Sequence, residues 1–106
     1  MSEPALDLSE IIDLYKADAR RMVDEMRRAM TQWEEIRQGG KACKELRRLS
    51  HQLRGSGRTY GFRDVTRICK AMEHIVIKIE THAVSADEHV RNSLAVKIDR
   101  LSAIFG

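Results

Sequence analysis

His51 is the residue whose setting most calls for a chemical explanation. At about 100° per residue, the stretch KACKELRRLSHQLRGSGR (41–58) and the residues after it divide into two sides. Leu46, Leu49, Leu53 and Tyr60 fall on one side of a helix, and Lys44, Arg47, Arg48, His51, Arg54, Gly55 and Arg58 on the other. His51 thus lies in the middle of the expected solvent face, ringed by cations. Arg54 and Gly55 are its i+3 and i+4 neighbours, the positions that touch it on a helix surface. Glycine inside a helix costs about 1 kcal/mol against alanine, yet its missing side chain lets another molecule's backbone approach the imidazole. An exposed imidazole with a cation and a cleared space one turn away suits a nucleophile for an anionic group delivered by a partner. By position alone, an exposed histidine is more often an idle surface residue.

The surrounding residues shift that balance. His51, Leu53, Arg54, Gly55, Ser56, Gly61, Cys69 and Glu73 resemble the signature of the histidine-phosphotransfer (HPt) domain family: HxL, a cation, Gly-Ser or Gly-Ala, a glycine ten residues after the histidine, then CxxxE. The run YGFRDVT, residues 60–66, is similar to the variant found in the phosphotransfer domain of chemotaxis histidine kinases. The resemblance implies that His51 is the phosphoacceptor and that Arg54 steadies the phosphoryl oxygens, which a guanidinium can do through two parallel hydrogen bonds; lysine is commoner there in the family. It implies that Glu73 orients the imidazole. Gln52 is expected to be structural or to contact the phosphate, and Gly55, Arg47, Arg58 and Gly61 to form the docking surface. The chemotaxis variant often has a second histidine where this chain has Lys70. The implied partners are response-regulator receiver domains, which bring Mg²⁺, and a sensor histidine kinase.

The elements that must position these residues follow from periodicity. Asp7 and Glu10 have capping-box spacing. After Tyr15, apolar residues recur through Met22, Met26, Met30, Trp33 and Ile36 at three- and four-residue steps. Alone, this reads as one helix from Leu8 to Gln38; the resemblance implies a short first helix breaking near residues 16–18, with Asp18 capping the second. Gly39 and Gly40 supply a left-handed stop, and the His51 helix follows after almost no loop. Gly61 turns the chain, after which Phe62, Val65, Cys69, Met72, Val76 and Ile79 form a packing stripe. Folding back about Gly61 places His51, ten residues before it, near Glu73, twelve after. Ser85 and Glu88 suggest another capping box, ahead of a last helix carrying Val90, Leu94, Ile98, Leu101 and Phe105. The expected fold is all-α: an antiparallel four-helix bundle with a short additional N-terminal helix, residues 1–106 forming one domain.

Composition narrows the function classes. One proline, six glycines and 42% hydrophobic residues in 106 fit a compact helical domain with a single core. The net charge of +3 suits an acidic protein partner or nucleic acid. Against nucleic acid, acids are spread through the chain and no aromatics interleave the basic face. Cys43 and Cys69 need no disulfide in a chain with this apolar pattern; Cys69 is expected in the core and Cys43 near its edge. The start, MSEPALD, lacks an apolar run and is not read as a signal peptide. No stretch approaches the ~20 apolar residues of a membrane span. His74, His82 and His89 make no metal-ligand spacing with His51, and no glycine-rich phosphate loop follows a strand.

The expectation is therefore a cytoplasmic, monomeric phosphohistidine carrier without its own ATP-binding kinase domain, cofactor or metal, and without membrane or nucleic-acid partners. The alternatives are a small basic helical nucleic-acid-binding protein, or a docking protein that sequesters receivers without carrying phosphate.

Overall fold

Asp7 starts the first helix in the computed structural model, which describes residues 7–106; the reading of the leader segment falls mainly on residues 1–6, outside the described residues. The Asp7 carboxylate accepts the Glu10 backbone N–H at 2.8 Å and α1 then spans Leu8–Met30 unbroken. The expected short first helix ending near residues 16–18 is not formed. Residues 8–30 hold no glycine or proline, Tyr15, Ala19, Met22, Val23 and Met26 keep one buried stripe through the region, and Asp18 pairs with Arg21 instead of capping a second helix. The short extra helix comes later. Thr31 and Gln32 donate to the Arg28 and Ala29 carbonyls, tight i→i−3 bonds that end α1, and α2 occupies Trp33–Arg37.

Three longer helices follow: α3 (Lys41–Thr59), α4 (Arg63–Glu80) and α5 (Glu88–Phe105). The ends of α2, α3 and α4 repeat one device, the paired Schellman bonds that satisfy orphan carbonyls. Gly40 and Gly39 donate to Glu35 and Ile36 after α2, Phe62 and Gly61 to Gly57 and Arg58 after α3, and Ala83 and His82 to Lys78 and Ile79 after α4. Each needs a left-handed residue. Gly39 (φ 71°) and Gly61 (φ 80°) fill the role without strain, while His82 (φ 59°) does so despite its side chain. At the start of α3, the Glu35 carboxylate from α2 takes the Ala42 N–H at 3.0 Å. Asp87, not Ser85, caps α5, accepting the Val90 N–H at 2.9 Å.

Among the described residues the chain contains helices and connecting turns and no strand. Helix α1 packs on α3 and α5, and α4 packs on the same two. Met26, Ile36, Leu46, Leu49, Leu53, Met72, Leu94 and Leu101 are fully buried between them, each contributing roughly 1.5–3 kcal/mol of transfer free energy. Tyr15 stacks on Tyr60 at 4.5 Å and meets Phe62 and Phe105, tying α1, α3 and α5 together at one end.

Cys43 is wholly buried rather than at the edge of the core, and its thiol lies 3.8 Å from the Val76 carbonyl. Both cysteines are free. Burial, with the nearby Glu73 charge adding to it, pushes the Cys69 thiol up to about 12, and burial also raises Cys43. Because the thiolate is the reactive form, neither is expected to react with a thiol reagent at pH 8 in the folded protein, and both are expected to react in denaturant. Rapid native labelling of either would contradict this packing.

Candidate functional site

The site begins with a glycine that brings two helices together. A Cβ on Gly57 would stand 3.0 Å from Val65 Cγ1 and 3.1 Å from Thr66 Oγ1, so α3 and α4 touch closely at this end. The chain folds back about Gly61, and the contacts of Cys43 with Val76 and Arg47 with Glu80 show the two helices running in opposite directions.

In this register His51 comes against Glu73. The imidazole Nδ1 is 3.0 Å from Glu73 Oε1, and Arg54 Nη1 donates to Glu73 Oε2 at 3.4 Å. The His51 side chain is 73% exposed and that of Glu73 only 11%. Leu49, Ser50 and Leu53 lie buried behind the histidine, the Ser50 hydroxyl satisfied by the Leu46 carbonyl at 2.8 Å. A buried carboxylate left alone would be costly; here it joins imidazole and guanidinium. A carboxylate accepts hydrogen bonds, so the contact favours the tautomer with the proton on Nδ1, which in the neutral imidazole leaves the lone pair on Nε2.

His51 stands on a ridge between two open grooves. One, of about 740 Å³, is lined by His51, Arg54, Gly55, Gly57, Arg58, Gly61, Arg63, Thr66, Arg67 and Lys70. The other, of about 420 Å³, is lined by Lys44, Arg47, Arg48, His51, Glu73 and Glu80. Space beside His51 is clear: a Cβ on Gly55 would meet nothing within 4 Å, and the same holds at Gly61, further along the larger groove. Arg58 lines the larger groove. Arg47 lines the smaller one and is held by Glu80 at 3.1 Å. Gln52 lines neither, and its carbonyl oxygen accepts from Arg48 at 3.0 Å.

Sequence reasoning named Lys70 and Glu73 on α4 but missed Arg63 and Arg67 and the basic wall that these cations make together. Arg63, Arg67, Lys70 and Glu73 recur at steps of four, three and three, the spacing of one helix face, and that periodicity was available to find them. Gly57 was missed as well, and only the close approach of α4 reveals its importance. Of the groove cations, Arg67 lies 3.9 Å from Asp64, and Arg58, Arg63 and Lys70 form no ion pair among the described residues. Among those residues no group of three or more His, Cys, Asp or Glu side chains could hold a metal ion. No helix is long and apolar enough to cross a membrane.

The family model for the Hpt domain matches residues 10–104. No curated protein and no solved structure gives a significant match. A match over nearly the whole chain, on a helical fold that presents a histidine at its surface, leads to one conclusion: the chain belongs to the Hpt domain family, the histidine-phosphotransfer domains of two-component phosphorelays.

Proposed function

We propose that His51 is the phosphoacceptor, taking a phosphoryl group from a receiver-domain aspartate or a sensor kinase and passing it to another receiver. The observation that carries this reading is the Glu73 contact to Nδ1, which leaves Nε2 as the free nucleophile beside the open space at Gly55. With an aspartyl phosphate as donor, the Nε2 lone pair forms the N–P bond as the acyl P–O bond breaks, and the donor leaves as carboxylate. The ring keeps its Nδ1 proton and becomes cationic, and Glu73 balances that charge from below. Arg54, one turn from His51 on α3, meets the phosphoryl oxygens in this reading, since phosphoryl transfer is governed by in-line positioning and charge neutralisation. Arg47, Arg58 and the glycines form a surface suited to an acidic partner. The frame is an antiparallel four-helix bundle acting as a single cytoplasmic, monomeric domain, without a kinase centre of its own.

The experiment is transfer of labelled phosphate from a panel of phosphorylated receivers, with the label mapped by peptide. Acid-labile, alkali-stable label on the His51 peptide is expected. Label elsewhere, or none from a broad panel, overturns the reading, and affinity for duplex DNA that falls with salt would then favour the nucleic-acid alternative.

Glu73→Gln tests the positioning role. It keeps the shape but removes the charge that fixes the tautomer, and uptake is expected to fall about ten- to a hundredfold, the scale of one charge-assisted hydrogen bond. The pH–rate profile of uptake should move as well. Wild-type rates with an unchanged profile would remove Glu73 from the mechanism.

A further inference from the structure

We propose that Lys70 is a second phosphoryl-binding cation, closing on the group from α4 while Arg54 holds it from α3; this rests on His51 being the phosphoacceptor. The register supports it first. Arg54 lies three residues after His51 on α3, and Lys70 three before Glu73 on α4. In helices running oppositely, the 54/70 pair therefore repeats the observed 51/73 pairing one turn on. Both side chains line the larger groove together with His51.

Availability supports it next. Three residues of helix advance only about 4.5 Å along the axis, whereas Arg58 is seven residues from His51 and Arg67 six from Glu73, about 9–10.5 Å away. Arg47 and Arg48 are nearer, but Glu80 holds the first and Glu45 with Gln52 the second. Arg54 itself donates to Glu73. Lys70 is exposed and forms no ion pair among the described residues. Its ammonium, three donors on a flexible stem, can follow a phosphoryl group that arrives and leaves.

Charge balance gives the third argument. The phosphorylated ring is cationic and Glu73 cancels it. Arg54 then meets a phosphoryl dianion and leaves one negative charge over, which Lys70 neutralises.

The test loads the full chain with phosphoramidate, a small donor needing no docking surface, and follows the phosphohistidine ³¹P resonance against pH. A cation near the phosphohistidine favours its less protonated form, so Lys70→Gln is expected to raise the midpoint of the phosphohistidine titration by about half to one pH unit, the scale of one charge near contact in a solvated site. Lys70→Arg should keep the wild-type midpoint. An unmoved midpoint in Lys70→Gln, or an equal rise in Lys70→Arg, overturns the assignment while leaving the His51 reading intact. Absence of any phosphohistidine signal from wild type overturns that reading and this inference with it.

Discussion

Exchanging His51 for glutamine is expected to abolish phosphoryl uptake, by about a thousandfold or more, while leaving the fold intact. The size follows from the role: with the nucleophile gone no covalent intermediate can form, and the remaining groups only position and neutralise charge. Arg54 and Lys70 carry no lone pair to offer at neutral pH. The nearby hydroxyls of Ser50 and Thr66 are committed to backbone carbonyls, Leu46 for the first and Phe62 for the second. Stability should change by no more than about 0.5 kcal/mol, as for other exposed substitutions, because His51 buries little and glutamine's amide N–H can replace the bond to Glu73. Alanine would be a poorer probe, since it strips the buried carboxylate of its 3.0 Å partner and confounds folding with chemistry. The measurement pairs labelled-phosphate transfer with a denaturant midpoint. Label retained in a stably folded His51→Gln protein would move the phosphoacceptor to another residue.

The helical periods located this site better than they located the helix boundaries. His51 and Glu73 could be brought together from sequence because both sit on strongly periodic helices joined by a glycine turn, so counting from Gly61 sufficed. Helix α1 was harder. Its apolar stripe runs unbroken past residues 16–18, and the pattern read alone predicted the continuous first part correctly; the expectation of a break there came from the resemblance. The same pattern continues through Trp33 and Ile36, so it gave no warning that Thr31 and Gln32 interrupt the helix. Asp87 rather than Ser85 capping α5 is a two-residue error between two competent capping side chains, which only the backbone dihedrals decide. The basic wall of α4 was legible but unread, because each of its cations by itself looks like ordinary solvated surface. Gly57 was not legible at all: a tight helix contact depends on what stands opposite, and one sequence does not state it.

That hidden contact carries the second large effect. Gly57→Leu is expected to destabilise the protein by about 3 kcal/mol, the upper range for overpacking a tight contact, and to impair phosphotransfer as well. The first added carbon already stands 3.0 Å from Val65 Cγ1 and 3.3 Å from the Thr66 backbone nitrogen, so relief requires α4 itself to move. His51 and Glu73 meet about 9 Å further along the same interface, and a displacement of α4 separates carboxylate from imidazole. Gly55→Ala, two residues earlier on α3, should do the reverse to stability. Its Cβ meets nothing within 4 Å, so the helix gains about 1 kcal/mol of propensity, while transfer from a receiver slows because the methyl group stands where the partner's backbone approaches. Unfolding midpoints and transfer rates for the two variants separate the causes. Gly57→Leu at wild-type stability would deny the close approach of α3 and α4, and Gly55→Ala with undiminished transfer would deny that the clearing beside His51 admits the partner. The two glycines lie on one helix within a turn of each other, yet one serves packing and the other access, and opposite shifts in stability are the signature of that division.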